Sequence, residues 1–331
     1  MKILILGGTR FFGMEFARER ANRGDHVTVF SRRAPVEELP ASITQLCGER
    51  RLAGELRDLA LTRWDAVVDN LCFNQEDAAM ALEAFAGRAG IYIMTSSGDV
   101  HLTLDGAKSP FDEEMADRLP EKPDAQLIEP YGWGKRSAEK LLMRAHLAAD
   151  FPACVVRFPI VIGPNEPKLR GYSYWLRLTD SGPVIVPDGG LNYRRYIYSG
   201  DAVQALSILV DQQEKSRGHV FHFGDTVPVT LREWLEMSAS ILERKPELIA
   251  IPSDWLQKNG FNTAASPFSY PEDYVLGITK AEDIFGWKST PRRQWLADTI
   301  HWYFYEYRDA KPENYANRAK EIELVRKWRA Q

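Results

Sequence analysis

MKILILGGTRFFG (residues 1–13) decides the fold of this chain. Ile3–Leu6 is an unbroken apolar run, which predicts a strand buried on both faces. A glycine-rich turn follows, and an amphipathic helix is predicted from Gly13 to Arg23. A second strand is predicted at His26–Phe30. Strand, glycine turn, helix and strand in this order predict a βαβ unit, whose two strands lie parallel in one sheet.

The alternation of strand and helix continues through the N-terminal half. Together with the first two strands, it predicts an α/β fold with a doubly wound, Rossmann-like parallel sheet and a smaller, mixed C-terminal substrate-binding region. The further strands are predicted at Ala66–Val68, Ile91–Met94 and Cys154–Phe158, and the helices between them at Gln75–Phe85 and Ser137–Ala149.

Composition shifts along the chain predict the domain boundaries. After Arg157, short pieces rich in proline, glycine and aromatic residues replace the regular alternation, and the last twenty residues are charge-dense at helical spacing. We expect residues 1–160, with parts of 191–225, to form a dinucleotide-binding domain. Residues 161–190 and 226–311 are expected to bind substrate, and residues 312–331 to form a solvated surface helix.

Composition also limits the classes of function. The 331 residues carry 42 basic and 46 acidic side chains, a balance that gives no reason to expect a nucleic acid or an anionic membrane as partner. No stretch approaches the ~18 apolar residues of a membrane span, and the first strand is too short for a signal peptide. Three scattered cysteines and six scattered histidines predict neither disulfides nor a metal site. We therefore expect a cytoplasmic protein whose partner is a small molecule; a homodimer stays open.

The glycine-rich turn has the chemistry of a phosphate site. Glycines permit a tight turn and close approach of the backbone, and the N–H groups at a helix N-terminus attract an anion. The alternative is an ordinary tight loop between strand and helix, but the flanking strands favour dinucleotide binding. The residues predicted to contact the dinucleotide here are Gly7, Thr9, Arg10, Phe11, Phe12 and Gly13.

The end of the second strand indicates which dinucleotide binds. An NAD site usually places Asp or Glu there to accept from the ribose 2′-hydroxyl. This chain has Ser31, Arg32 and Arg33 instead, with no acid before Glu37. Arginine binds a 2′-phosphate bidentately, and Arg10 lies within reach of the same group. The residues thus favour NADP(H), with NAD as the alternative cofactor if these arginines are only solvated surface residues.

A second group of residues has acid–base chemistry. Tyr131 and Lys135 are four residues apart, which places them on one helical face. An ammonium beside a phenol lowers the phenol pKa, so the tyrosine can exchange a proton near neutral pH. Ser97 follows the predicted strand Ile91–Met94, at the edge where parallel sheets bind ligands. The alternative is an ordinary surface pair on a helix.

Taken in order, these motifs resemble the extended short-chain dehydrogenases/reductases, the NAD-dependent epimerase/dehydratase family. The matching segments are GGTRFFG, YIMTSSGDVH, YGWGK, CVVRFPIVIGP and RRYIYSGDAVQAL. Arg10 stands where the family has its middle glycine, a GGTRF variant shared with chloroplast stem-loop RNA-binding relatives. Gly98 and Asp99 stand where the 4,6-dehydratases have Asp-Glu, so the resemblance disfavours dehydration.

The resemblance implies a role for each matching residue. Tyr131 is the general acid/base, Lys135 lowers its pKa and binds the nicotinamide ribose, and Ser97 orients the reacting oxygen of the substrate. Arg194 matches an arginine that holds the substrate phosphate. The remaining predicted contacts are Asn70, Leu71, Phe158 and Ile160 for the cofactor, and Asp99 and Tyr172 for the substrate.

Three functions follow from these motifs. The first is an NADP(H)-dependent oxidoreductase that acts on a carbonyl or hydroxyl of a sugar-nucleotide, sugar-like or natural-product substrate. The second is a nucleotide-sugar epimerase that holds NAD tightly. The third is a non-catalytic relative that binds a dinucleotide or RNA. A site for the 2′-phosphate favours the first over the second, and intact Ser97, Tyr131 and Lys135 argue against the third.

Overall fold

The computed structural model describes residues 1–32, 39–261, 266–308 and 312–331. The chain divides into two compact units. The first unit contains Met1–Val161, Ser199–Gly224 and Leu276–Ser289. The second unit contains Ile162–Tyr198, Asp225–Val275 and Thr290–Gln331.

Strands and helices alternate through most of the chain. The strands are β1 (Lys2–Leu6), β2 (His26–Ser31), β3 (Thr44–Cys47), β4 (Trp64–Asp69), β5 (Ala89–Ser97), β6 (Ala153–Phe158), β7 (Ile160–Ile162), β8 (Val184–Pro187), β9 (Tyr193–Arg194), β10 (Tyr196–Tyr198), β11 (Val220–His222), β12 (Val229–Thr230) and β13 (Leu248–Ile251). The helices are α1 (Phe11–Asn22), α2 (Ala53–Leu59), α3 (Gln75–Phe85), α4 (Met115–Arg118), α5 (Ala125–Ile128), α6 (Pro130–Ala149), α7 (Arg170–Thr179), α8 (Ser199–Asp211), α9 (Gln213–Ser216), α10 (Leu231–Ile241), α11 (Ser253–Lys258), α12 (Thr279–Phe285), α13 (Arg292–Tyr305) and α14 (Arg318–Arg329). None of these helices is long and apolar enough to cross a membrane.

The first unit is built on a seven-stranded sheet in the order β11-β6-β5-β4-β1-β2-β3. Every neighbouring pair is parallel, which confirms the predicted doubly wound fold. The chain leaves β1 toward β2 on one side and returns to β4 on the other. The carboxyl ends of β1 and β4 therefore flank the point where the strand order reverses, which is where such sheets bind ligands.

The core of the first unit explains why its central strands are apolar throughout. Residues 3–6 of β1 are fully buried, because helices cover both faces of a parallel sheet. Helix α3 packs against α2 and α6, and α1 packs against α8. The predicted helix Gln75–Phe85 is confirmed as α3, whose N-cap Asn74 accepts a hydrogen bond from the Asp77 N–H.

The second unit is smaller and mixed. Strands β8 and β13 pair in parallel, and β9 and β12 pair antiparallel. Its core is aromatic, with the rings of Trp175 and Trp234 stacked at 5.8 Å between centroids. Helix α10 begins with a capping box in which Thr230 and Glu233 satisfy each other's backbone N–H groups.

The domain division differs from the sequence expectation in one segment. Residues 276–289, expected in the substrate-binding region, return to the first unit. Gly277 N–H donates to the Phe111 carbonyl at 2.7 Å, and the Trp287 indole donates to the Gly224 carbonyl at 2.9 Å. These long-range bonds have no signature in local sequence. Of residues 191–225, residues 199–224 lie in the first unit and the others in the second.

The terminal helix also differs from its expected state. We expected residues 312–331 to be solvated, but α14 has one buried face. Leu324 and Val325 pack with Ile251 and other apolar residues of the second unit. Glu321 forms a buried ion pair with Arg177, with 2.6 Å between the nearest atoms. The charge-dense sequence concealed this face because two of its buried members are ion-paired.

Candidate active site

The glycine-rich turn lies between the carboxyl ends of β2 and β4. Gly7 adopts a left-handed φ of 83°, and its N–H donates to the Phe30 carbonyl at 2.9 Å. The Asn70 N–H donates to the Leu6 carbonyl at 3.0 Å. Helix α1 then begins at Phe11 with no side-chain hydrogen bond at its N-cap. An anion at this helix N-terminus is favoured by the N–H groups of its first turn.

The residues around the turn fit the phosphate end of a dinucleotide. A Cβ on Gly13 would lie 2.9 Å from the Gly7 carbonyl oxygen, so only glycine lets α1 approach the turn this closely. Thr95 Oγ1 donates to Asn70 Oδ1 at 2.7 Å and fixes the side-chain amide. Asn70 Nδ2 is buried beside Gly13 and has no hydrogen-bond partner among the described residues. A buried donor without a partner is costly, and a ligand acceptor would satisfy it.

Arg32, one of the arginines predicted to bind a 2′-phosphate, directly follows β2. Ser31, the last residue of β2, is buried, whereas the Arg32 side chain is 77% exposed. Arg32 Nη1 lies 3.7 Å from the Glu49 carboxylate. Arg10, also an exposed residue, is the N-cap of α1. Arg33 lies outside the described residues.

Other predicted cofactor contacts surround the same turn. The Leu71 side chain packs against Gly7, closely enough that a Cβ there would lie 2.8 Å from it. The ring of Phe12 lies 5.9 Å from the ring of Phe158 in an edge-to-face arrangement. Thr9 is largely buried, and Ile160 is half-buried at the start of β7. Their contacts with a dinucleotide stay a prediction.

Tyr131 and Lys135 lie one turn apart near the start of α6. Lys135 is buried, and its Nζ donates to the carbonyls of Cys72 and Thr95, both at 2.7 Å. The same Nζ lies 5.9 Å from the centre of the Tyr131 ring, while the Tyr131 side chain is 48% exposed. The buried ammonium of Lys135 therefore lies close to the ring of Tyr131, whose side chain is accessible from solvent.

Burial sets the protonation of Lys135. Loss of hydration lowers the pKa of its ammonium to about 8, against the opposing effects of Cys72 and Asp69. The ring of Phe73 faces the same Nζ at 4.6 Å from its centre. With a pKa of about 8, the ammonium stays mostly charged at neutral pH.

Ser97 and Asp99 lie against the first turn of the same helix. Ser97 ends β5, and its Oγ accepts a hydrogen bond from the Asp99 N–H at 3.2 Å. A Cβ on Gly132 would lie only 2.3 Å from the Asp99 carbonyl oxygen, so glycine is required for α6 to contact this segment. The structure thus brings the segment of Ser97 and Asp99 next to Tyr131. The role of each residue in binding or catalysis is untested by this geometry.

A buried ionic network below the site was missed from the sequence. Asp69, at the end of β4, accepts hydrogen bonds from Arg50 at 2.5 Å, the Tyr92 hydroxyl at 2.6 Å and the Leu71 N–H at 2.8 Å. The network fixes the loop that carries Asn70. The signal available in the sequence was an acid directly after an apolar strand, but its basic partner comes from a separate segment.

Two buried histidines lie beyond Asp99. His101 Nε2 is 3.3 Å from His222 Nε2, and His222 Nδ1 is 3.0 Å from the Gly277 carbonyl. A carbonyl only accepts, so His222 carries its proton on Nδ1. Its Nε2 is then the acceptor of the hydrogen bond from His101 Nε2. Burial, followed by the charge of Arg157, lowers the pKa of both rings, that of His101 to about 2. His101 is therefore neutral, and a structural role for it stays a prediction.

This pair predicts a loss of stability in mild acid. The unfolded chain protonates both histidines near pH 6.5, whereas the folded chain keeps them neutral. Each should lower the free energy of unfolding by up to about 1.4 kcal/mol per pH unit below that value. Urea titrations at about pH 7.5 and about pH 5.5 would measure the slope. His222→Gln should reduce it, whereas His26→Gln, at an exposed position, should not; equal slopes in both variants would contradict the assignment.

The predicted substrate contacts of the second unit have distinct surroundings. Arg194 is buried between two tyrosine rings, with its guanidinium carbon 3.3 Å from the centre of Tyr270 and 4.8 Å from that of Tyr274. Its Nη1 is buried without a partner in the part of the chain that the structure describes. Tyr172 stacks on Tyr303 at 4.9 Å between ring centroids. Their contacts with substrate stay predictions.

Comparisons with known proteins show which family part of this chain resembles. The model of the NAD dependent epimerase/dehydratase family matches residues 78–224. The 2′-dehydrokanamycin reductase of Streptomyces kanamyceticus is 26% identical over 260 residues, which cover 77% of this chain and 70% of the reductase. UDP-D-apiose/UDP-D-xylose synthase 2 of Arabidopsis thaliana is 24% identical, over 39% of this chain and 34% of the synthase.

Solved structures show the same fold at low sequence identity. The dTDP-glucose 4,6-dehydratase of Bacillus anthracis, in complex with NAD, aligns with a TM-score of 0.72 and 18% identity over 92% of this chain and 97% of the dehydratase. The UDP-glucose 4-epimerase of Thermotoga maritima aligns with a TM-score of 0.72 and 18% identity over 92% of this chain and 99% of the epimerase. Residues 78–224 thus resemble the NAD dependent epimerase/dehydratase family, and the similar proteins are named as reductases, epimerases, dehydratases and synthases, which supports an enzyme.

Proposed function

We propose that the protein is an NADP(H)-dependent oxidoreductase that acts on a carbonyl or hydroxyl of a sugar-nucleotide or a sugar-like natural product. The arrangement of Lys135 and Tyr131 carries the proposal. A buried ammonium anchored by two carbonyls lies 5.9 Å from the ring of an exposed phenol, and its positive charge would favour the phenolate that an acid/base needs. A cytoplasmic location and a homodimer are part of the same proposal.

The proton steps fall to three side chains of the first unit. In reduction, the Tyr131 phenol donates its proton to the substrate oxygen, and the ammonium of Lys135 stabilises the phenolate that remains. In oxidation the phenolate removes the hydroxyl proton. The Ser97 hydroxyl donates a hydrogen bond to the same oxygen and fixes its position. The nicotinamide supplies or accepts the hydride.

The choice of NADP(H) rests on the end of β2. The sequence at this point reads Ser31, Arg32 and Arg33, where an NAD site usually has Asp or Glu. The Gly7–Gly13 turn, Asn70 and Lys135 would hold the rest of the dinucleotide. NAD is the alternative, and it belongs to the second candidate function, a nucleotide-sugar epimerase.

Two observations favour a reductase over an epimerase or a dehydratase. One relative, matched over 70% of its own length, is named 2′-dehydrokanamycin reductase. In addition, Gly98 occupies the position of the acid that 4,6-dehydratases use, which argues against elimination of water. An assay of NADPH consumption with keto sugar nucleotides and keto amino sugars tests the proposal. Interconversion of two sugar epimers without net consumption of nicotinamide would favour the epimerase.

Arg194 predicts how a nucleotide-linked substrate would be recognised. Its buried Nη1 has no partner in the described part of the second unit, and a diphosphate oxygen would satisfy it. We expect UDP, GDP, CDP or dTDP to raise the melting temperature of the cofactor-loaded protein by mass action. Arg194→Ala should abolish the shift, whereas Arg293→Ala, at an exposed arginine of α13, should leave it unchanged. No shift at millimolar concentration would indicate a substrate without phosphate.

A further inference from the structure

The proposed 2′-phosphate site contains an acid as well as its basic residues. Strands β2 and β3 pair in parallel, with Ser31 opposite Cys47, and the Gly48 N–H donates to the Ser31 carbonyl at 2.9 Å. Arg32 directly follows β2, and Glu49 follows Gly48. The backbone pairing therefore brings these two side chains together, and Arg32 Nη1 lies 3.7 Å from Glu49 Oε2.

Glu49 is held in this position by local hydrogen bonds. Its Oε1 accepts from the Arg51 N–H at 3.1 Å, and its own N–H donates to Glu55 Oε2 at 2.6 Å. The Glu49 side chain is 35% exposed. Its Oε1 is bound to the backbone, and its Oε2 faces Arg32. A ligand bound to Arg32 would meet this carboxylate.

We propose that Glu49 determines how strongly the site distinguishes NADP(H) from NAD(H), an inference that rests on the proposed function. A 2′-phosphate bound to Arg32 must either displace the Glu49 carboxylate from the guanidinium or share the guanidinium with it. In both cases the carboxylate repels the phosphate. A ribose 2′-hydroxyl carries no charge, so Glu49 does not repel it. Glu49 therefore offsets part of the preference for NADP(H) that Arg32 creates.

Binding measurements test the inference without knowledge of the substrate. By titration calorimetry, Glu49→Gln should bind NADPH about two- to fivefold more tightly than the native chain and NADH with unchanged affinity. Because the repulsion acts between exposed charges, the gain should shrink between about 0.05 M and about 0.5 M salt. Asp58→Asn is the matched control, since it removes one negative charge at an exposed position of α2 and should change neither affinity.

The outcomes separate this inference from the proposed function. A gain for NADPH alone supports the role of Glu49. No change, or an equal change for both dinucleotides, overturns it. If Arg32→Ala selectively weakens NADPH binding while Glu49→Gln has no effect, only the role of Glu49 is contradicted. If Arg32→Ala weakens the binding of both dinucleotides equally and Glu49→Gln has no effect, the proposed 2′-phosphate site is contradicted as well.

Discussion

Tyr131→Phe is expected to bind the cofactor with near-native affinity and to lose turnover by at least about 10²-fold. The substitution removes only the hydroxyl that exchanges the proton, because the ring stays where α6 places it. The measurement is NADPH consumption with the first keto sugar that the native enzyme reduces, beside calorimetric titration of the cofactor. Tyr305→Phe, at an exposed tyrosine near the end of α13, is the matched control and should keep full turnover. Near-native turnover by Tyr131→Phe would exclude the assigned acid/base.

Lys135→Met extends the same test to the partner of Tyr131. The substitution keeps a side chain of similar length but removes the ammonium that Cys72 and Thr95 anchor. Both cofactor affinity and turnover should fall, because the ammonium is assigned to the nicotinamide ribose and to the phenolate. Loss of turnover with unchanged cofactor affinity would remove the ribose contact from the proposal and leave only the effect on Tyr131.

Arg32→Ala is the second substitution with a large expected effect. It should weaken NADPH binding by about 10- to 100-fold and leave NADH binding nearly unchanged, because a charge-assisted contact to the 2′-phosphate is lost. Titration calorimetry with both dinucleotides measures the difference. Arg57→Ala removes the same charge at an exposed position of α2 and should affect neither. Equal losses for NADPH and NADH after Arg32→Ala would remove the argument for a 2′-phosphate site.

The central part of the fold could be predicted because its strands are buried on both faces. The apolar runs at β1, β2, β4, β5 and β6 are typical of strands in the middle of a parallel sheet that helices cover on both faces. The two edge strands were missed. β3 reads TQLC and is largely exposed, and β11 has only three residues. Neither has the continuous apolar pattern on which the prediction depends.

Site residues that follow strands were easier to anticipate than those held by distant partners. Ser97 and Asn70 lie at the carboxyl ends of β5 and β4, a position that chain order and sheet type determine. The pairing of Arg50 with Asp69 and of Arg32 with Glu49 depends on the register of separate segments. The register between separate segments cannot be predicted from a single sequence, so these contacts could be found only in the structure.

The nucleotide that co-purifies with the protein tests the central claim most directly. The native chain would be purified at low salt, its bound nucleotide identified by mass spectrometry, and the measurement repeated after extensive dilution. An oxidoreductase that exchanges its cofactor with the cellular pool should release NADP(H) on dilution. NAD(H) that stays bound after dilution would contradict the proposed function and favour an epimerase.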